Sequence, residues 1–275
     1  YKAACCNLSE SFETNPSVDV AYTDAVTGTK QIQMLGLDGK YTQITREAIP
    51  DVRGLSTVQG LTYIPGVWIE GIQLNKGAGS VASGFESVTG QINVELHKPE
   101  SMDRWFVNGY ANQGGRTELN VNVSQKINDK VSTGLLLHGN VRPFEVNGNG
   151  DSFLDFPVGQ TFNLLNRWKF TNLKGWEGQV GAQAINEERT GGQSDNELTN
   201  PYKLGWNTEQ YSAWGKMGYV FPNAKYRSVG FQAKALYHNN ENYFGNTIYN
   251  AAQQSLYAKA IYQSIIGTST HKYRA

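Results

Sequence analysis

The chain is poor in sulfur: its 275 residues hold 2 cysteines, adjacent at Cys5 and Cys6, and 3 methionines. Neighbouring cysteines bridge each other only with strain, so a disulfide framework is excluded. No apolar run approaches the roughly 18 residues that a membrane helix needs. Lys+Arg and Asp+Glu both number 24, and a net charge of zero argues against a nucleic-acid partner. No CxxC pair, Ser/His/Asp ordering or paired-carboxylate signature stands out, so an enzyme is not expected. The chain opens at Tyr1 with neither a start Met nor a basic-then-apolar leader. The expectation is that an export signal has been removed or that the start lies upstream.

What the sequence does have is a period of two. In 118–124, ELNVNVS, Leu119, Val121 and Val123 fall on one face and Glu118, Asn120, Asn122 and Ser124 on the other. Further on, Phe162, Leu164, Trp168 and Phe170 alternate with Thr161, Asn163, Arg167 and Lys169, and Val229, Phe231, Ala233, Ala235 and Tyr237 with Gln232, Lys234 and His238. Eight strands are expected, near 103–113, 116–126, 130–141, 159–171, 175–188, 209–221, 226–240 and 252–265, with the start of a ninth in 267–275. At about 11–15 residues they exceed the soluble average of about 5–6 and suit a tilted membrane strand. Mean hydropathy is −0.48, which excludes helical spans but not a barrel of alternating strands.

The connections give a direction. Segments 127–129, 172–173 and 222–225 read as tight turns rich in Asn, Asp and Pro. Segments 143–158, 189–207 and 241–251 read as long loops. Only the hairpin at Gly114-Gly115 is short on the long-loop side. Short turns at one end and long loops at the other are the pattern of an outer-membrane barrel. Trp168, Phe170, Trp176, Tyr219, Phe221 and Tyr226 gather beside the short turns, as an interfacial girdle would. The alternative is a soluble β-sandwich or jelly roll, which would have shorter strands.

Residues 1–100 are different. They hold 7 basic and 11 acidic residues, against 17 and 13 in 101–275. A short helix is expected over 4–13, with Leu8 and Phe12 spaced i, i+4, ended by Pro16. Short β segments follow at 30–35, 41–46, 67–75 and 90–96.

This region resembles the plug domain of TonB-dependent outer-membrane receptors. The resemblance rests on 7–20 (NLSESFETNPSVDV), 32–37 (IQMLGL), 68–80 (WIEGIQLNKGAGS) and 84–94 (GFESVTGQINV), in the family's order and spacing. The wording is similar to Bacteroidota receptors of the siderophore or metal type. It implies an α+β plug domain over 1–100 followed by the first eight or so strands of a transmembrane antiparallel β-barrel over 101–275. Such a barrel has about 22 strands around a plugged lumen, so the chain reads as a part of it. It further implies active uptake of a metal chelate, siderophore or haem, driven by TonB with ExbB and ExbD in the outer-membrane lipid. A passive pore, or a scaffold for a surface lipoprotein, is the alternative.

Plug arginines in this family pair with acidic groups of the wall. Leu35, Gly71 and Lys76 stand where arginines are usual, so a plug–barrel lock would use Arg46, Arg53 and Lys76. By resemblance, apex loops fall at 36–41 and 61–66, which makes Asp38, Lys40, Tyr41 and Tyr63 candidate ligand contacts, with Phe144, Phe153 and Tyr243 from the outer loops. For a bound metal ion the candidates are Cys5, Cys6 and Met34; packed thiols, a soft-metal site and a bridge to a segment elsewhere all remain open for the cysteine pair. His138 and His238 fall on inward faces. Gly77–Ala82 fits G-x-G-x-x-A, but a β segment rather than a helix follows, which argues against a nucleotide site.

Overall fold

The computed structural model describes residues 7–12, 18–22, 29–79, 84–194, 200–266 and 272–274. Two small sheets precede one large one. The first joins β1 (Asp19–Tyr22), β2 (Lys30–Met34) and β3 (Leu37–Asp38). The second has the order β5-β4-β7-β6, from β4 (Thr42–Arg46), β5 (Ile49–Pro50), β6 (Ile69–Lys76) and β7 (Gly90–Leu96). Its central pair, β4 and β7, is parallel, whereas β5 and β6 run antiparallel to their neighbours.

The large sheet is an antiparallel meander in chain order: β8 (Trp105–Ala111), β9 (Thr117–Asn128), β10 (Val131–Arg142), β11 (Val158–Leu173), β12 (Trp176–Gly192), β13 (Lys203–Val220), β14 (Ser228–Phe244), β15 (Thr247–Ile265) and β16 (Lys272–Arg274). All eight expected strands and the ninth are present. Their outward rows are apolar and exposed, including Phe162, Val180, Tyr211, Phe231 and Leu256. Their inward rows are polar and buried, including Asn120, His138, Asn163, Gln183, Thr208 and His238. A sheet with a wet side would be reversed; polar-in and apolar-out is the wall of a membrane barrel. The aromatic girdle forms at the short-turn end, where Trp176 and Tyr219 lie 4.8 Å apart, Tyr219 and Phe221 5.1 Å, and Tyr262 and Tyr273 5.9 Å.

The strands outrun expectation at the other end. Segment 241–251 is not a long loop: β14 continues to Phe244 and β15 begins at Thr247, with Gly245 (φ +59°) in the two-residue turn. The 189–207 loop shrinks to 193–202, and only 143–157 keeps its expected extent. Amphipathic alternation is needed only where lipid covers one face. Above the apolar layer water meets the outer face, so Asn239, Glu241 and Asn207 occupy outward positions of continuing strand. Such polar runs look like loop in the sequence. The 19 residues of β15 span roughly 60 Å, about twice the apolar layer of a membrane.

The small sheets and the wall share one core. Leu8, Phe12, Ile32, Met34, Trp68, Ile92 and Leu96 pack with Leu136 and Leu165, two wall residues that face each other across β10 and β11. The expected N-terminal helix is, in its described part, a turn and a 3-10 segment (Glu10–Phe12) that still buries Leu8 and Phe12. Asn7 starts it, its Oδ1 accepting from the Ser9 N–H at 3.0 Å. The remainder of 4–13 lies outside the described residues.

Candidate functional site at the plug–wall interface

Two chemical zones stand between the first hundred residues and the wall. The lower is built on the β4–β5 hairpin. Arg46 pairs with Ile49, so Glu47 and Ala48 form a two-residue turn, and both have positive φ, +56° and +62°. That is the mirror-image turn normally made by Asn and Gly, and Glu and Ala adopt it only under constraint. The constraint is visible. The Glu47 N–H donates to the Val94 carbonyl at 2.9 Å, the Ala48 N–H donates to Asn93 Oδ1 at 2.8 Å, and Glu47 Oε1 accepts from the Leu96 N–H at 3.1 Å.

The turn holds the Glu47 carboxylate, 1% exposed, among three cations: Lys98 at 2.7 Å, wall Arg167 at 3.1 Å and wall Lys216 at 2.8 Å. Burial pushes its pKa up, but Arg167 and Lys216 outweigh burial and hold the carboxyl well below its usual 4.5. Asp51 follows the same pattern. Burial again opposes ionisation, yet Arg46, at 3.0 Å, and wall Lys234 keep it below its usual 3.8. Arg167, fully buried, also donates to the Leu96 and His97 carbonyls at 3.2 and 3.0 Å. Its guanidinium lies over the Trp214 ring, 5.6 Å from the centroid. That ring fits because the facing residue is Gly181, where an added Cβ would lie 2.8 Å from the indole. Gly181→Val is therefore expected to displace Trp214 from Arg167 and to cost about 1–3 kcal/mol, read as a lowered midpoint of plug unfolding in the folded protein.

The upper zone is a polar cavity of about 140 Å³ on the long-loop side, between Asn7, Ser9, Glu10, Lys30 and Thr62 and the wall's Arg116, His138, Asn140, Arg142, Thr161 and Arg189. Arg116 bridges Glu10, at 3.2 Å, and Glu118; Arg189 pairs with Glu187. The Arg142 guanidinium lies 4.6 Å from the Phe156 ring centroid. Tyr63 sits deeper between plug and wall. Its carbonyl accepts from Asn163 at 2.6 Å, and its ring is 6.3 Å from that of His238. Burial, then Glu187 nearby, raises its phenol pKa.

The expected site residues are dispersed. Tyr63 lies at the interface. Asp38 caps a 3-10 turn, its Oδ1 accepting from the Lys40 N–H at 2.9 Å, and Lys40 lies over the Tyr41 ring. Asp38 and Lys40, but not Tyr41, border a cavity lined by β2–β4 and residues 52–61, whose Gly54 lies against Gln253 of the wall. Phe144 packs on Gly115 and Phe153 makes a bridge with Gln193, both in the outer loops. Tyr243 is on the outward row of β14, over Gly205, rather than in a loop facing the lumen. Met34 is fully buried in the apolar core beside Gly90. Cys5 and Cys6 lie outside the described residues, among which no group of three His, Cys, Asp or Glu side chains is placed to hold a metal ion.

The expected lock needs correction. Arg46 does reach the wall, donating to Gln183 at 2.5 Å, but its ion pair is with Asp51 of its own domain. Arg53 pairs with Glu86 at 2.8 Å, also internally, and Lys76 ends β6 exposed. Among the described residues the plug's carboxylates, not its arginines, make the ion pairs to the wall. The period-two pattern had put Arg167, Lys169 and Lys234 on the inward face; nothing in it named Glu47 or Asp51, more than a hundred residues away.

Fold and interface together define a class: a membrane-spanning β-wall whose polar face is covered by a plug of small sheets. Solved structures of this class match. The closed form of the ferric-catecholate import receptor Fiu from E. coli superposes with a TM-score of 0.71 at 13% identity, covering 98% of this chain and 43% of that one. The FrpB iron transporter of Neisseria meningitidis gives 0.67 at 13% identity, covering 96% and 44%. The copper transporter OprC gives 0.59 at 11%, covering 94% and 49%. The chain thus spans less than half the length of these structures, and at such identity the likeness is one of fold. No protein-family model and no curated relative matches the sequence.

Proposed function

We propose that the chain is the plug and first wall strands of an outer-membrane receptor for active uptake of a scarce nutrient such as a metal chelate, siderophore or haem. The observation that carries this reading is the shared core. Trp68, Ile92 and Leu96 of the plug share one core cluster with Leu136 and Leu165 of the wall, so folded protein fills the lumen beside this arc at that level. A passive pore needs an open lumen; a filled one needs work done on the plug before anything passes. That work would come from TonB with ExbB and ExbD. The upper cavity, open to Thr62 of the 61–66 loop and to the long-loop side, is where cargo would first meet the plug. Cells expressing the full-length receptor should accumulate a radiolabelled iron chelate, and a protonophore should abolish accumulation without affecting surface binding. Uptake that persists after the proton gradient collapses would sink the reading in favour of a passive pore.

A further inference from the structure

Among the described residues every ion pair between plug and wall has one polarity. Glu10 meets Arg116, Glu47 meets Arg167 and Lys216, Asp51 meets Lys234, and Glu100, on the connection into the wall, meets Lys169. The composition agrees: residues 1–100 carry 7 − 11 = −4 and residues 101–275 carry 17 − 13 = +4. The lower cations also share a level. Register places Arg167 and Lys234 on one rung of the wall, through Gly181 and Trp214, and Lys169 and Lys216 on the next rung toward the short-turn end, through Gln179. Among the described residues no carboxylate of β9–β15 stands on either rung. On the inward row of β12, exposed Glu177 comes one rung below, and Glu187 six residues from Gly181, about 20 Å away.

We infer that these four side chains form a cationic belt with two uses: the plug's carboxylates occupy it as a latch, and once they leave it favours anionic solutes in the opened conduit. The latch is built rather than incidental, because Glu47 is delivered by a turn in a backbone conformation that Glu seldom adopts. Removing one partner of a buried pair leaves a costly unpaired charge. The wall cations cannot follow the plug, since they sit on strands held by continuous ladders. Their field then acts on whatever enters, and a groove walled by one sign of charge concentrates the opposite sign. This inference rests on the proposed uptake reading, because it assumes that the plug moves, and it narrows the cargo to negatively charged chelates.

The test uses the full-length receptor in planar bilayers under a KCl gradient, with no TonB present. Glu47→Gln with Asp51→Asn should raise the frequency of channel openings about a hundredfold over the unmodified receptor. The reversal potential of those openings should lie on the chloride side, and adding Lys216→Gln and Lys234→Gln should move it toward the potassium side. Openings as rare as in the unmodified receptor would overturn the latch. Potassium-selective openings, or a reversal potential indifferent to the lysine changes, would overturn the lining. Heat-modifiable migration reports barrel folding in the same preparation; if the double variant loses it, Asp51→Asn alone, which leaves the Glu47 turn untouched, is recorded by the same criteria. Whole-cell uptake is independent of these recordings, so failed transport with chloride-selective openings would count against the uptake reading and not the belt.

Discussion

Arg167→Ala should loosen the plug more than any other single wall substitution, by about 3–5 kcal/mol, the usual cost of removing one partner from a buried ion pair. Arg167 is fully buried and joins Glu47, two plug carbonyls, Gln179 and the Trp214 ring at one point. Truncation leaves the Leu96 and His97 carbonyls without this donor and thins the cations around Glu47 from three to two. It also opens a void beside Gly134 and Trp214. The effect belongs at the plug rather than the wall, because the ladders of β10, β11 and β12 do not pass through this side chain. Hydrogen exchange should show it: amides of Glu47, Ala48 and Leu96 should lose protection while those of 162–166 keep theirs. Equal loss in both sets would mean that Arg167 supports the wall. Arg167→Lys should recover only part of the loss, since an ammonium cannot serve the carboxylate and two carbonyls in one plane.

Much of this architecture was legible from the residues. Strand existence, order and facing followed from period-two alternation, because a wall with lipid outside and polar plug inside imposes it at every position. Ile185, Trp214 and Leu236 depart from it, as do Leu136 and Leu165: apolar on the inward row, the last two break the rule where the wall joins the plug core. The upper strand ends were not legible, because beyond the lipid both faces of β14 tolerate Asn and Glu. The lock was misread for a different reason. Arginine-for-arginine substitution by resemblance assumed that the sign of each partner is kept, whereas an ion pair is equally satisfied with its signs exchanged. The exchange was present in composition, acidic in one part and basic in the other, but composition carries no register. Pairing Asp51 with Lys234 requires knowing where β14 crosses the β4–β5 hairpin, and that follows only from the folded wall.

Acid should release the plug while leaving the wall intact. Burial disfavours both interface carboxylates in their charged forms, yet the surrounding cations hold the pKa of Glu47 below 4.5 and that of Asp51 below 3.8. A carboxyl whose folded pKa lies below its unfolded value contributes stability that is fully present above the unfolded value. That contribution is lost as pH falls through the folded one. Plug attachment should accordingly be flat from neutrality to about pH 5 and decline only below the ordinary carboxylate range. The charged groups facing Glu47 are Lys98, Arg167 and Lys216. Glu47→Gln should therefore show a weaker plug at neutral pH and a shallower acid dependence, because the titrating group is gone while the cations it neutralised remain. Tryptophan fluorescence offers the readout, since Trp214 borders the Arg167 contact and Trp68 lies in the shared core. A plug that loosens between pH 7 and 5, or an acid profile unchanged by Glu47→Gln, would place the controlling group elsewhere.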